Sequence, residues 1–356
     1  MVLFKDILGA EETIFKNPVA LEPEYMPKEI PYREEEQHYI AECIKPLILG
    51  RNGRNLQIYG ESGIGKSLAV KSVLEELKEE TSEVYPIYIN CWQKPTSFKI
   101  MLEMCNQIEY KFTHNKSTEE LFDIIKKIIN KKAAVFVFDE IDKAQDTDFL
   151  YFILEEIYKK SIIVISNYEK WMISLDPRIK SRLSPDSLYF KRYSKKEILG
   201  IIRRRIESAF YPGVFNEEGI ERIANVVEES SDIRLALFLL NEAGNNAESM
   251  SRRKVTIEDV EKAIERINKY SSKKTELLDD SDQLTLDIIN QGNGLKIGDA
   301  FKRYSEKGGK GGYKTFQRRI DKLAKNNFIE IEKINGGSEG KTSLLKPKNK
   351  RLNEFK

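Results

Sequence analysis

The chain has 356 residues, 40% of them apolar, enough for two or three domains with real cores, and its Cys43, Cys91 and Cys105 with His38 and His114 lack the spacing of a structural zinc site or a disulfide framework. No stretch approaches the ~18 apolar residues of a membrane span, and the beginning of the chain lacks a basic-then-apolar leader, so a soluble intracellular protein without a membrane partner is expected. The net charge of +2 conceals a polarity: residues 281–356 carry 17 Lys and Arg against 9 Asp and Glu, whereas residues 1–280 carry 42 against 48, which points to a polyanion partner at the C-terminal end or to a solubilising surface there.

Residues 1–30 read as irregular, spotted with Pro18, Pro23 and Pro27, and a helix is expected from Arg33 to Leu49. A segment of this kind, ahead of the motif that follows, would close over a nucleotide base. Leu56–Tyr59 reads as a strand leading directly into Gly60-Glu61-Ser62-Gly63-Ile64-Gly65-Lys66-Ser67, with Leu68 opening a helical pattern that runs to about Glu80. This is the G-x-x-x-x-G-K-[ST] phosphate loop in its strand-before, helix-after context. Its glycines let successive backbone N–H groups point at a phosphate, Lys66 would reach the β and γ oxygens, and Ser67 would ligate Mg²⁺. The expected cofactors are therefore ATP or ADP with Mg²⁺, bound by Gly60 to Leu68.

Pro86–Asn90 reads as a buried strand, followed by helices over 97–112 and 118–130 with a polar joint at 112–117. The apolar run Ala133–Phe138 ends in Asp139-Glu140-Ile141-Asp142. A buried parallel strand closed by two acids, ~70 residues behind a phosphate loop, delivers carboxylates to the ligand edge of a sheet; Asp139 would hold the Mg²⁺ shell and Glu140 would polarise an attacking water. Ile162–Ile165 ends in Ser166 and Asn167, where Asn167 is either a turn former or an amide that orients the water. In Leu175–Leu183 a short helix carries Arg178 and Arg182 four apart, on one face that is either functional or merely solvated. Four helices are expected next: one capped by Ser194 and Glu197, one by Asn216, a third from Asp232 to about Glu248, and a fourth opened by Thr256 and Asp259 and ending near Asn268. Residues 269–282 have linker composition.

Beyond the linker, short helices are expected at Leu284–Asn290 and Ile297–Tyr304, a longer one at Tyr313–Asn326, and a hairpin of Ile329–Ile334 and Thr342–Leu345 around Asn335-Gly336-Gly337. Three helices and a β-hairpin make a winged helix. Phe316, Ile320 and Leu323 would face its core, leaving Lys314, Arg318, Lys322 and Lys325 opposite. With Thr315 and Gln317 on the same helix and Lys341 on the wing, this face would contact double-stranded DNA.

The ordered set GESGIGKS, VFVFDEID, VISN, KSRL and SSDIRLAL resembles initiator-clade AAA+ ATPases, most closely the archaeal replication initiators related to origin recognition complex subunit one and the cell-division-cycle-six helicase loader. EPEYMPKEIPYREEEQ at 22–37 resembles the N-terminal signature of that family and FKRYSKKEILGIIRRRI at 190–206 its lid entry. The resemblance implies an α/β P-loop AAA+ domain over 1–190, a parallel sheet flanked by helices, with an all-α lid over 191–270 and a C-terminal winged-helix domain over 283–356. It implies Asn167 and Arg234 as nucleotide sensors, and Tyr193 and Ile201 near the adenine. Many archaeal members read LDPRVKSSL where this chain has LDPRIKSRL, so Arg182 falls where clamp loaders keep an arginine finger; the lid entry usually has Pro-Tyr where this chain has Arg192-Tyr193. These departures suggest a divergent paralogue or an element-encoded copy. The implied function is a weak ATPase switch, nucleoid-associated in the cytoplasm, that recognises a replication origin and helps load a replicative helicase of the minichromosome maintenance type, with other initiator paralogues as partners. An ADP-locked DNA-binding repressor or architectural protein, and a transposition or plasmid-maintenance ATPase, are the alternatives.

Overall fold

The structure, a computed structural model, describes residues 13–276, 279–292, 294–325, 328–336 and 340–347, with the side chains at 268–276, 325, 333–336 and 340–342 left aside. It divides into two compact units, Met1–Val260 and Glu261–Lys356.

The first unit opens with α1 (Glu34–Ile48), β1 (Leu56–Tyr59), α2 (Lys66–Glu80), β2 (Val84–Asn90), α3 (Ser97–Gln107), α4 (Thr118–Ile129) and β3 (Ala133–Asp139), and continues with α5 (Asp148–Glu156), β4 (Lys160–Ser166), α6 (Pro177–Leu183) and β5 (Asp186–Tyr189). The five strands form one parallel sheet in the order β2-β3-β4-β1-β5. Every residue of β3 is buried, as a central strand covered on both faces requires, and Phe136, Phe138, Phe149, Ile125 and Ile153 share one core with it. Pro86 is tolerated within β2 because β2 is an edge strand. The register sets Tyr59 beside Ser166 and Asn90 beside Asp139, so the loops leaving β1, β3 and β4 emerge at one edge of the sheet.

Four helices complete this part of the chain: α7 (Lys195–Ala209), α8 (Glu217–Ser230), α9 (Ile233–Ser249) and α10 (Ile257–Glu276). The Ser194/Glu197 capping box, the Asn216 cap on Gly219 and the Asp232 cap on Arg234 stand as the sequence indicates, and the Thr256 N–H donates to Asp259 at 3.0 Å. Residues 280–347 hold α11 (Asp280–Gly292), β6 (Leu295–Lys296), α12 (Ile297–Glu306), α13 (Tyr313–Lys325) and the antiparallel β7 (Ile329–Gly336) and β8 (Gly340–Pro347), with strand order β6-β8-β7. Phe316, Ile320 and Leu323 of α13 lie in the core of this unit with Leu286, Ile289 and Tyr304.

Several boundaries differ from expectation. The helix expected to reach 112 ends at Gln107, because Glu109 turns left-handed (φ 61°) and the Tyr110 N–H reaches back to the Cys105 carbonyl at 2.8 Å. The expected linker from 269 is helical through Glu276, since no Gly or Pro interrupts that stretch. Asn335 and Gly336, expected in the turn, pair with Lys341 and Gly340; Gly337 lies outside the described residues. Helix α5 and strands β5 and β6 carried no expectation.

Candidate functional site

The loop from β1 to α2 is folded tightly enough that its glycines are obligatory. Gly63 (φ 77°) and Gly65 (φ 91°) hold left-handed conformations, and an added Cβ would come within 2.0 Å of Asp232 Oδ1 at the first and 2.9 Å of the Tyr193 hydroxyl at the second. The turn aims Lys66, the first residue of α2, back into the loop. Its Nζ donates to the Gly60 carbonyl at 2.7 Å, the Glu61 carbonyl at 2.5 Å and Asn167 Oδ1 at 3.1 Å. Asn167 thus reaches the same ammonium from the end of β4. Burial pulls the Lys66 ammonium down to a pKa of about 8, against the opposing pull of Asp139 and Asp142.

Asp139, buried at the end of β3, has a donor on each oxygen: the Glu140 N–H on Oδ1 at 2.9 Å and the Tyr88 hydroxyl in a short bond on Oδ2. Burial and the neighbouring Asp139 both push the Tyr88 phenol upward, so it stays protonated and donating. Glu140 is half-buried at φ 52°, and burial, reinforced by Asp139 and Asp142, raises its carboxyl pKa. A carboxylate made more basic in this way is better suited to draw a proton from water. Ser67 and Asp139 bring a hydroxyl and a carboxylate to one cavity, and such oxygen donors fit a hard divalent cation like Mg²⁺.

The helical part closes the other side. Arg234, at the start of α9, donates through Nη2 to Ser62 Oγ at 3.0 Å while paired with Asp232 at 2.6 Å. Arg192, at the lid entry, pairs with Glu61 of the phosphate loop. Tyr193 and Ile201 are buried. One cavity of about 1190 Å³ is lined by Pro23–Pro31, Ser62, Gly63, Gly65–Leu68, Tyr88, Asp139, Glu140, Asn167, Tyr193, Ile201 and Arg234. The predicted residues from distant parts of the sequence therefore meet around one space, and the proline-spotted segment borders it. Gly60, Glu61 and Ile64 belong to the loop without lining the cavity.

Arg182 stays outside that group. It sits on α6, paired with Glu155 and 5.9 Å from the Tyr151 ring centroid. Sequence reasoning passed over Arg33, which is 4% exposed and donates to the Ile64 carbonyl at 3.2 Å, the Lys191 carbonyl at 2.6 Å and the Tyr193 hydroxyl at 3.0 Å. Its guanidinium also lies 4.0 Å from the Tyr193 ring centroid, tying α1, the phosphate loop and the lid entry together. The available signal was Pro-Tyr-Arg directly ahead of an acidic helix start.

On α13, Lys314, Thr315, Gln317 and Arg318 are exposed. Lys322 differs from expectation. Its ammonium is drawn 2.5 Å from Asp282 Oδ2, a buried carboxylate of α11 that also accepts from Arg319 at 2.6 Å. A fully buried carboxylate needs such partners, which makes Lys322 partly a structural residue. The side chains of Lys325 and Lys341 lie outside the described residues. Among the described residues no helix is long and apolar enough to cross a membrane.

Comparisons with known proteins bear on the same elements. The AAA domain family matches residues 50–165, and the Cdc6 AAA+ ATPase-type lid domain family matches residues 199–265. The ORC1-type DNA replication protein 1 of Sulfurisphaera tokodaii is 34% identical over 354 residues, covering 92% of this chain and 89% of that protein. The ORC1-type DNA replication protein 2 of Methanosarcina mazei is 28% identical over 96% of this chain and 95% of its own. The Aeropyrum pernix ORC1 protein, solved in complex with DNA, superposes with a TM-score of 0.71 at 27% identity, covering 96% of each chain.

Proposed function

The chain belongs to the ORC1-type DNA replication proteins, and from that premise we propose that it is an ATP-dependent initiator that recognises a replication origin, binds its duplex DNA and helps load the replicative helicase. The observation that carries the reading is the cavity that gathers Lys66, Ser67, Asp139, Glu140, Asn167 and Arg234 from four separate segments. In this reading the phosphate loop N–H groups and Lys66 hold the β and γ phosphates, and Ser67 and Asp139 hold Mg²⁺. Bound Mg²⁺ supplies neutralisation of phosphate charge. Glu140 takes a proton from water, Asn167 orients that water, and Arg234 reports the γ-phosphate to the lid. Tyr193, Ile201 and the 23–31 segment enclose the adenine.

Because Arg182 does not line the cavity, its role here is a finger supplied in trans to a neighbouring initiator in an assembly on DNA. The domain limits follow the sequence: AAA+ body 1–190, lid 191–270, winged helix 283–356. The exposed Lys314, Thr315, Gln317 and Arg318 of α13 enter the major groove, and Lys341 and Lys325 hold phosphate. The partners are origin DNA, a minichromosome maintenance helicase and initiator paralogues, in the cytoplasm at the nucleoid. Intact Lys66, Asp139 and Glu140 favour a switching ATPase over an ADP-locked repressor. Single-turnover ATP hydrolysis with and without duplex DNA tests this. Slow turnover that DNA changes supports the switch; bound ADP that neither turns over nor exchanges overturns it.

A further inference from the structure

Tyr88 was absent from the sequence-level site, yet it stands at the centre of the acid end of the cavity. Strand β2 is the edge of its sheet, and its backbone at Tyr88 would have no strand beyond it. The Gln107 side chain of α3 takes that place: the Tyr88 N–H donates to Gln107 Oε1 at 2.9 Å and Gln107 Nε2 donates to the Tyr88 carbonyl at 2.7 Å. Tyr88 is thereby fixed in the plane of the sheet. Its hydroxyl donates to Asp139 Oδ2, and Ser67, Tyr88 and Asp139 all line the cavity.

A phenol has one proton to give. Committed to Asp139 Oδ2, while the Glu140 N–H donates to Oδ1, it fixes the carboxylate with one donor on each oxygen and leaves each oxygen a further lone pair for a cation.

We propose that Tyr88 is a positioning residue for the magnesium–nucleotide site, orienting the Asp139 carboxylate; this rests on the nucleotide reading above. The role is distinct from holding nucleotide itself, because the phosphate loop and Lys66 act on the phosphates without it. Tyr88→Phe keeps the ring and removes the hydroxyl, leaving Asp139 Oδ2 without its donor.

The test is a titration of the full chain with mant-labelled ADP, once in Mg²⁺ and once in EDTA. For the parent, the ratio of the two dissociation constants measures the contribution of the metal. In Tyr88→Phe that ratio should fall by about tenfold, the equivalent of one hydrogen bond to a charged group, while the EDTA affinity stays within about twofold. An unchanged ratio overturns the proposal, and so does an equal loss in both buffers, which would assign Tyr88 to packing. If Tyr88→Phe is too unstable to titrate, Gln107→Ala carries the test, since Gln107 is exposed and outside the cavity. A lowered ratio there supports the positioning role and an unmoved one overturns it. A parent chain that binds no mant-ADP in either buffer fails the nucleotide reading, and this proposal falls with it.

Discussion

Replacing Lys66 by Met keeps the bulk of the side chain and removes its ammonium. The parent ammonium sits among the Gly60 carbonyl, the Glu61 carbonyl and Asn167, and it is the side-chain cation proposed to meet the phosphates. ATP at a hundredfold excess over its Kd stabilises the parent by about 2.7 kcal/mol. For a unit of 260 residues the unfolding entropy is roughly 0.5 kcal/mol per degree, so the parent should melt about 5 °C higher with saturating ATP and Mg²⁺. Lys66→Met should lose that shift at the same ATP concentration, measured by circular dichroism or a dye-binding melt. A full shift in the variant would refute the assignment of Lys66 to phosphate. The pH dependence is a second readout. The folded ammonium titrates at about 8, below the ordinary 10.5, so between those values the unfolded chain binds more protons and stability rises with pH. The penalty of burying the charge is complete below pH 8. In the absence of nucleotide, the parent should therefore gain stability relative to Lys66→Met as the pH is raised from 8 to 10, and parallel curves would contradict the burial argument.

Glu140→Gln should retain ATP binding and stop turnover, since a neutral amide cannot accept the proton of water; surviving hydrolysis in a single-turnover assay would remove Glu140 from the base role. Arg182→Ala should leave nucleotide affinity alone and slow hydrolysis only in a DNA-assembled or partner-bound state, by up to roughly 10³- to 10⁵-fold. A defect of equal size in the monomer would place Arg182 in its own site or in folding, through its pair with Glu155. Arg318→Ala should weaken binding to a specific site by roughly 1–3 kcal/mol and relax discrimination between sequences, read by competition binding; an unchanged preference would return that helix face to solvent.

Much of this site was legible because each motif carries its chemistry locally. Gly60 to Ser67, Asp139 and Glu140 are recognised by residue type and by what precedes them, and the parallel register of β1, β3 and β4 does the rest. Arg33 and Tyr88 were not legible, because their roles exist only through partners far away in the chain: Tyr193 lies 160 residues from Arg33, and Asp139 lies 51 from Tyr88. The helical spacing of Phe316, Ile320 and Leu323 gave the buried face of α13 correctly, and it also put Lys322 on the opposite side. It could not show that Asp282, buried on α11, reaches round to hold Lys322. Strand β5 escaped notice because four residues after Pro185, alternately half-buried and exposed, carry too little apolar pattern.

The central claim, that an ATP-binding body and a basic C-terminal helix together read an origin, is tested most directly by footprinting the full chain with Mg²⁺ and ATP on the replicon that encodes it. A discrete protected duplex site bound at roughly 10⁻⁸ M or tighter, with affinity falling steeply and linearly in log salt, is the expected result. Diffuse protection of every fragment alike, or binding insensitive to salt, would contradict it.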